Sequence, residues 1–260
     1  TSPSWVTLGT PWAYLDGIDT GSATAGTDGG VPFTARPDAM AVWVKRVSNG
    51  KENINLVFYS WKGTAQADSY KNKNGGCTTT SHTDEESDIR MGADPNICGT
   101  DVEAVQIAEA HFQTKAQYKD WTRIEVPIRY LKDELPEKMN IILSASNYPE
   151  GRRNDGLVPG NYMIVDDLEL IYKSTIDELL LNREPLYGFK SDVLNYTVAL
   201  GENATDKDIP TISCKRSGRS LSGSEIAIVQ ATKLYEPATI TVRAEDGSST
   251  TTYTVTFVRT

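Results

Sequence analysis

The stretch Asn161–Tyr172 reads Asn-Tyr-Met-Ile-Val-Asp-Asp-Leu-Glu-Leu-Ile-Tyr and is the most strand-like run of the chain. Its inner apolar positions are Met163, Val165, Leu168 and Leu170. Alternation of this kind is typical of a β-strand with one buried face, and here it slips by one residue across Asp166-Asp167. Such a slip predicts a β-bulge at the two carboxylates. We therefore expect a bulged central strand against which the preceding chain folds.

Several runs ahead of this stretch also alternate and predict strands. The clearest are Ala39–Val47, Asn55–Trp61, Thr122–Tyr130 and Met139–Ser146. Asp101–Phe112 contains helix-favouring Ala and Glu, but the alternation of its second half favours a strand. Within the first of these runs, Trp43 and Lys45 fall on the face opposite the apolar row. Between residues 62 and 100 no pattern persists, which is typical of a long binding loop or of disorder.

After Tyr172 the character of the sequence changes. The polar joint Lys173-Ser174-Thr175 is followed by short strand-like runs, and Glu245-Asp246-Gly247 predicts a turn before the last of them. Short strands at spacings of about 8–12 residues are typical of a small sandwich of immunoglobulin type. We therefore predict an all-β chain of two domains with a boundary near residue 174.

The charge of the chain disfavours two classes of partner, nucleic acids and anionic membranes. The chain has 260 residues and a formal net charge of −9, and its Lys and Arg residues form no cluster. A phosphate backbone or an anionic membrane repels such a chain, so nucleic acid is not expected as a partner. No run approaches the roughly 18 apolar residues that a membrane-spanning helix needs.

The chain has three cysteines, Cys77, Cys98 and Cys214, whose spacing matches no zinc motif. Cys77 and Cys98 lie in the same loop-like region. Two alternatives remain open for them, a disulfide in an oxidising compartment or two free thiols. Cys214 is then expected to be a lone buried thiol.

Several spaced motifs of the first part resemble one family of bacterial domains. They are Gly9-Thr10-Pro11-Trp12, Phe33-Thr34-Ala35-Arg36-Pro37-Asp38 with Trp43-Val44-Lys45, Trp121 to Tyr130, and Pro159-Gly160 through Leu170. Together they resemble the "putative carbohydrate metabolism domain" family, a jelly roll of surface and secreted proteins of gut-dwelling Gram-negative bacteria. The resemblance implies a jelly-roll β-sandwich over residues 1–174. It also implies that this chain lacks strands that usually precede the first motif.

The C-terminal part resembles the bacterial cadherin-like or immunoglobulin-like sandwich. The matching segments are Ile176-Asp177-Glu178-Leu179, Gly188-Phe189, Leu194 to Val198, and Thr239 to Val258. This resemblance implies an immunoglobulin-like β-sandwich over residues 175–260 that serves as a spacer or adhesive unit. Both resemblances imply an extracytoplasmic protein, either secreted or held at the cell surface as a lipoprotein.

Jelly rolls of this type often close with a bulged strand whose carboxylate binds calcium. By that resemblance, Asp166 and Asp167 are the candidate ligands of a structural Ca²⁺, a hard cation that prefers carboxylate and carbonyl oxygens. The alternative is that both carboxylates only flank the bulge and face solvent.

Sugar rings are recognised by flat apolar side chains flanked by hydrogen-bonding groups. The candidate glycan-binding residues are Trp12, Tyr14, Trp43, Trp61, Tyr148 and Arg152. Trp43 is the strongest candidate because Ala41 and Lys45 share its face, whereas Trp121 is expected to be structural. For each aromatic residue the alternative is ordinary core packing, since buried aromatics fill β-sandwiches.

Neither resemblance transfers catalytic residues, so function is argued from side-chain chemistry. The first prediction is non-catalytic binding of a polysaccharide or other glycan. The alternative is a glycoside hydrolase or other glycan-modifying enzyme, which needs two loop carboxylates about 5–9.5 Å apart. The second alternative is an adhesive or structural surface module. His82 and His111 are the only histidines, and neither lies in a nucleophile motif.

Overall fold

The protein folds almost entirely into β-strands. The computed structural model describes residues 4–15, 23–28, 30–48, 52–63, 69–71, 77–79, 105–146, 159–216 and 223–260. The chain divides into two compact units, the first made of Thr1–Thr34 and Met40–Glu169 and the second of Ala35–Ala39 and Leu170–Thr260. The predicted all-β fold class is confirmed. No helix in the described part of the chain is long and apolar enough to cross a membrane.

The strands of the first unit are short at the N-terminus and longer afterwards. They are β1 (Trp5–Thr7), β2 (Thr10–Leu15), β3 (Ala23–Asp28), β4 (Val31–Pro32), β5 (Ala39–Val47), β6 (Ile54–Lys62), β7 (Ser69–Lys71), β8 (Cys77–Thr79), β9 (Val105–Thr114), β10 (Tyr118–Pro127), β11 (Arg129–Tyr130), β12 (Lys138–Ser144) and β13 (Tyr162–Ile171). Two of them, β5 and β13, reach past the unit's limits by one and two residues, respectively, at Ala39 and at Leu170–Ile171.

Two sheets build this unit as a sandwich. The larger sheet has the order β1-β12-β6-β9-β11, with β4 also paired to β12, and the smaller sheet has the order β10-β5-β13. The hairpins β2-β3 and β7-β8 form separate pairs. The chain passes from one sheet to the other between β4 and β5, between β5 and β6, between β9 and β10, between β10 and β11, and between β12 and β13. A jelly roll wraps its strands between two sheets in this way.

Alternation along the strands fills the interior. Buried apolar side chains include Met40, Val42 and Val44 of β5, Ile54, Leu56 and Phe58 of β6, and Ile124 and Val126 of β10. Strand β6 is buried on both faces, because a smaller cluster of Val57, Tyr59, Trp61 and Ile142 fills its second face. We term this second face, away from the main core, the far face of the larger sheet.

Arg46 occupies the last inward position of β5 and is buried. Its guanidinium donates to the carbonyl oxygens of Thr114 at 2.8 Å and Ala116 at 3.0 Å, and to Ser48 Oγ at 3.0 Å. It also donates to the carbonyl oxygen of Glu52. Burial lowers the pKa of Arg46, an effect that the charge of Glu52 opposes. The side chain thus joins the turn after β5 to the turn between β9 and β10.

Strand β13 confirms one prediction and corrects another. Asp167 has a φ of 47°, and Asp166 Oδ1 accepts a hydrogen bond from the Asp167 amide at 2.9 Å. A left-handed residue within a strand is typical of a β-bulge, so the predicted bulge is confirmed. Among the described strands, however, β13 pairs only with β5 and is an edge strand rather than a central one. The sequence could not show this, because a half-buried strand has the same alternation of apolar and polar residues at the edge of a sheet as in its centre.

The second unit contains seven strands in its described residues. They are β14 (Ile176–Leu181), β15 (Glu184–Pro185), β16 (Asn195–Leu200), β17 (Ile212–Arg216), β18 (Glu225–Val229), β19 (Pro237–Arg243) and β20 (Thr250–Arg259), with a 3₁₀ turn at Asp206–Asp208. One sheet has the order β15-β14-β17 and the other β16-β20-β19-β18, with β16 parallel to β20.

Apolar residues from both of these sheets form one core. It includes Ile176, Leu179, Ile240, Val242, Tyr253, Val255 and Phe257. The predicted turn lies between β19 and β20, where the Gly247 amide donates to the Ala244 carbonyl at 2.9 Å and Gly247 has a φ of 70°. The immunoglobulin-like assignment of this unit stays a prediction.

Candidate functional site

One surface of the smaller sheet in the first unit is open to solvent and carries aromatic side chains. Along β5, Trp43 is 36% exposed and Lys45 is partly exposed, whereas Val44 and Arg46 are buried. Successive side chains of a strand point to opposite faces, so Trp43 and Lys45 share the face directed away from the core. We term this surface of β10-β5-β13 the outer face.

Strand β10 adds a second indole to the outer face. Trp121 is 40% exposed, and its neighbours on the strand alternate in the same sense, with Ile124 buried and Arg123 exposed. Lys45 Nζ lies 5.1 Å from the centroid of the Trp121 ring. This cation–π contact places Trp121 beside Lys45 on neighbouring strands. Because Trp43 precedes Lys45 by two residues, about 7 Å along the strand, the two indoles belong to one patch.

Strand β13 extends the patch on the other side of β5. Tyr162 is 49% exposed and Ile164 is 47% exposed, while Met163 and Val165 between and after them are half-buried. The aromatic and aliphatic side chains of the outer face therefore come from all three strands of the sheet.

Arg123 links the outer face across its width. Its Nη2 lies 2.7 Å from Glu169 Oε1, and its Nη1 lies 3.1 Å from Glu125 Oε2. Hydrogen bonds to Glu169 and then to Glu125 raise the pKa of Arg123. Since β5 lies between β10 and β13, the pair with Glu169 passes over β5. Exposed ion pairs contribute little stability, so this triad serves mainly as a polar border of the patch.

The bulge in β13 is what brings Glu169 to this border. Ile164 and Asp166 lie on the outer face by alternation, and unbroken alternation would turn the side chain of residue 169 inward. The extra residue at Asp167, with its φ of 47°, shifts the alternation by one. Glu169 therefore faces outward and reaches Arg123.

The structure contradicts the prediction that Trp61 binds sugar. Its side chain is 1% exposed and stacks on Tyr59, with ring centroids 5.5 Å apart and an interplanar angle of 26°. The backbone at Gly30 passes so close that an added Cβ would lie 2.8 Å from the indole Cη2. Trp61 is therefore a core residue, because the segment at Gly30 covers the face to which alternation assigns the indole.

The other predicted glycan-binding residues fall where the structure describes little or nothing. Trp12 and Tyr14 lie in β2, for which only the strand and its pairing are described. Tyr148 and Arg152 lie outside the described residues. Their roles stay predictions.

The far face of the larger sheet also carries polar groups, but they bind one another. Asn140 Oδ1 accepts hydrogen bonds from Thr7 Oγ1 at 2.9 Å and from the amides of Leu8 at 3.1 Å and Gly9 at 3.2 Å. Its Nδ2 donates to Tyr59 Oη at 2.9 Å. Asn140 thus fastens the segment after β1 to the sheet.

Asn55 has a similar role at the other end of the far face. Its Oδ1 lies 2.9 Å from His111 Nε2 and 3.1 Å from Gln113 Nε2, and its Nδ2 donates to the carbonyl of Ser146 at 2.9 Å. Buried amides with such partners stabilise the fold, because an unpaired buried polar group is costly. These side chains serve the fold rather than a ligand.

The predicted calcium ligands Asp166 and Asp167 are both exposed. Within the described ranges, no group of three or more His, Cys, Asp or Glu side chains could hold a metal ion. A bound Ca²⁺ stays a prediction.

The cysteines give a similar result. Cys77 begins β8, Cys98 lies outside the described residues, and their pairing stays a prediction. Cys214 is a free, half-buried thiol whose pKa is raised by burial.

Two residues of the outer face were not among the predicted site residues. Trp121 was expected to be structural, but it is one of the two exposed indoles of the patch. The signal was present in the sequence, since the inward row Ile124, Val126 and Ile128 assigns the odd-numbered Trp121 to the opposite face. Tyr162 could have been found in the same way from the inward Met163 and Val165.

In the second unit, a half-buried carboxylate, that of Glu245, lies in the turn between β19 and β20. Glu245 Oε2 accepts a hydrogen bond from the Arg36 amide at 2.6 Å, and a Cβ added at Gly223 would lie 2.1 Å from its Cδ. Burial raises the pKa of Glu245, and the charge of Asp38 raises it further. Burial and the charge of Glu245 raise the pKa of Tyr172 to about 12.

The fold and this geometry define an all-β protein whose first unit presents an aromatic outer face. No family model matches the sequence, and no curated protein matches it. The solved structures that are similar to it include two that are each named as a "putative glycoside hydrolase", one from Bacteroides thetaiotaomicron at 18% identity and one from Bacteroides vulgatus at 20% identity.

The likeness to these structures is limited in extent. It covers 57% of this chain and 41% of the first structure, and 65% of this chain and 64% of the second. This chain therefore spans less than two thirds of either. The TM-score is 0.34 in both cases, so neither likeness carries an argument about fold or activity.

Proposed function

We propose that the first unit binds a polysaccharide or other glycan, without catalysis, on the outer face of β10-β5-β13. The observation that carries this proposal is the pair of exposed indoles, Trp43 and Trp121, on neighbouring strands. Indoles offer flat apolar surfaces on which the C–H faces of sugar rings stack. Strand positions hold both rings in place before binding, which lowers the entropy lost on association.

The polar groups around the indoles suit a sugar ligand. Arg123, Glu125 and Glu169 form one border of the patch, and Lys45 lies against Trp121. These side chains supply both donors and acceptors for the hydroxyl groups at the rim of a sugar ring. A purely protein-binding surface is usually poorer in charged groups at its centre.

The proposal assigns the two carboxylates of the patch to binding rather than to hydrolysis. Glu125 and Glu169 are both hydrogen-bonded to the same guanidinium. A glycosidase needs one carboxyl group as an acid and a second as a base or nucleophile on the other side of the scissile bond. The proposal also includes a location outside the cytoplasm, secreted or at the cell surface, with the second unit as a spacer.

Affinity electrophoresis through gels that contain soluble polysaccharides tests the proposal. We expect at least one polysaccharide to retard the protein, and Trp43→Ala and Trp121→Ala each to weaken binding by roughly 10-fold, or about 1.4 kcal/mol. Tyr187→Ala is the matched control, because Tyr187 is a fully exposed aromatic side chain of the second unit. Its affinity should equal that of the wild type.

Two outcomes would overturn the proposal. One is binding that survives both tryptophan substitutions unchanged. The other is the release of reducing ends from the bound polysaccharide, with loss of that release in Glu125→Gln or Glu169→Gln, which would favour the hydrolase alternative.

A further inference from the structure

We propose that the glycan bound by the outer face is anionic and carries carboxylate or sulfate groups. This inference rests on the proposed function and adds the chemical class of the ligand. It comes from the uneven distribution of charge across the outer face.

The two ends of the outer face differ in their charge balance. At one end, Arg123 is paired with both Glu125 and Glu169. At the other end lie Lys45 and Lys119, the latter two residues before Trp121 and therefore on the same side of β10. Within the ranges that the structure describes, neither lysine is in an ion pair, and the contact of Lys45 is with the Trp121 ring. This end therefore carries uncompensated positive charge.

The position of Lys45 suits an acidic sugar. Its ammonium is held against Trp121 and lies on the same strand face as Trp43, two residues away. A hexuronate has an apolar C–H face for an indole and a carboxylate at the ring's edge for an ammonium, and a sulfate ester offers the same combination. Lysine is a compact point charge with three donors, which suits anionic groups of either kind.

The negative net charge of the chain does not oppose this ligand. At physiological ionic strength the Debye length is about 8 Å, so exposed charges farther away are largely screened. At Trp121 the neighbouring charges are positive, with Lys45 Nζ 5.1 Å from the ring centroid and Lys119 two residues away on the same side of the strand, whereas the exposed carboxylate of Asp166 belongs to β13 on the other side of β5. An anionic polysaccharide therefore meets a locally favourable surface, although the formal net charge of the protein is −9.

Matched pairs of polysaccharides test this inference on the full chain. One pair is polygalacturonate and its methyl ester, and the other is chondroitin sulfate and its chemically desulfated form, which separates carboxylate from sulfate recognition. We expect at least one charged member to bind more tightly than its less charged partner. That preference should disappear at about 1 M salt, where the Debye length is about 3 Å.

Substitutions of single lysines test whether Lys45 and Lys119 cause the preference for charged polysaccharides. Lys45→Gln and Lys119→Gln should each weaken binding of the charged polysaccharide by about 2- to 5-fold, the range for an exposed ion pair. Lys119→Gln should leave binding of neutral polysaccharides unchanged, whereas Lys45→Gln should weaken binding of the charged polysaccharide more than that of a neutral one, because Lys45 also contacts Trp121. Lys132→Gln is the control, since Lys132 is an exposed lysine of the first unit on the loop after β11, and it removes the same charge elsewhere.

The outcomes separate this inference from the proposed function. If neutral polysaccharides bind through Trp43 and Trp121 as tightly as charged ones, the inference is wrong and the proposed function stands. If both lysine variants bind the charged polysaccharide like Lys132→Gln does, the inference is wrong as well. If no polysaccharide of either kind binds, the proposed function fails and the inference fails with it.

Discussion

Two tryptophans of the first unit that both point away from its main core differ in their exposure to solvent. Trp43 on β5 and Trp61 on β6 both lie in nine-residue strands and both point away from the main core. Trp43 is 36% exposed, whereas Trp61 is 1% exposed. The difference is that the chain at Gly30 and the segment held by Asn140 cover the far face, while no comparable contact covers Trp43 among the described residues. Alternation assigns a side chain to a face, but another part of the chain decides whether that face is open.

The largest expected effect of this contrast is on stability. Trp61→Ala should lower the free energy of unfolding by about 3–5 kcal/mol, the range for removing a buried Trp or Phe. Trp43→Ala should lower it by about 1 kcal/mol or less, since its side chain is already partly in water. All five tryptophans lie in the first unit, so their fluorescence during urea unfolding reports on that unit. Equal losses in the two variants would contradict the distinction between a covered and an open face.

The next largest effect on stability is expected at Arg46, which lies on the inward side of β5, the strand that carries Trp43. Arg46→Met keeps much of the apolar volume but removes donors to three backbone carbonyls and one hydroxyl. We expect a loss of roughly 2–4 kcal/mol, because hydrogen bonds from a charged group are stronger than neutral ones. The measurement is again urea unfolding followed by fluorescence. Lys45→Met, on the neighbouring outward position, is the control and should change stability by about 1 kcal/mol or less, the range for loss of an exposed cation–π contact.

A smaller loss of stability is expected when the side-chain amide of Asn140 is removed from the far face. Asn140→Ala leaves the amides of Leu8 and Gly9 without the acceptor they share, and the expected loss is about 1–3 kcal/mol. Faster hydrogen exchange at these two amides would show that the covering segment has loosened. Lys115→Ala removes an exposed side chain from the turn after β9 and should have a much smaller effect. If Asn140→Ala leaves exchange unchanged, other contacts hold the cover in place.

The smallest effect concerns the pH dependence of stability in the second unit, where two neighbouring carboxylates differ in burial: Glu245 is half-buried and Asp246 is exposed. Burial raises the pKa of Glu245, whereas hydrogen bonds from Ser248 lower the pKa of its neighbour Asp246. The stabilising contribution of Glu245 is therefore present below its unfolded pKa of about 4.3 and is lost as the pH rises through its folded pKa. That of Asp246 is present above about 3.9 and is lost as the pH falls through its folded pKa.

Charge-neutral variants test these opposite signs. Relative to the wild type, Glu245→Gln should become more stable as the pH rises from about 4 to about 7, and Asp246→Asn less stable as the pH rises from about 3 to about 5. Thermal unfolding followed by circular dichroism measures both. Parallel pH dependence of the two variants would mean that the burial of Glu245 does not control its ionisation.

Local patterns predicted much of the fold. The run around Asp166-Asp167 predicted both a strand and its bulge, and the alternation in Ala39–Val47 placed Trp43 and Lys45 on an outward face. The same alternation, read along β10, would have placed Trp121 on the outward face of that strand. These features depend on residues close together in the chain, whose side-chain directions follow from strand geometry.

Features that depend on distant segments were not predicted. The edge position of β13 is set by which strand pairs with it, and the burial of Trp61 is set by a segment about thirty residues earlier. The sequence alone would suggest that Arg46 is an ordinary surface residue. In the structure its guanidinium donates hydrogen bonds to backbone carbonyl oxygens from two turns that lie far apart in the chain.

The amino-acid sequence alone established that this is an all-β chain, that its long strand carries a bulge at two carboxylates, and that one indole faces outward. Periodicity is a local property, and each of these conclusions needs only neighbouring residues. Tertiary structure alone decided which outward surface stays open, which indoles share it, and how Arg123 and Glu169 meet across β5. These outcomes depend on contacts between strands far apart in sequence, which no local pattern specifies.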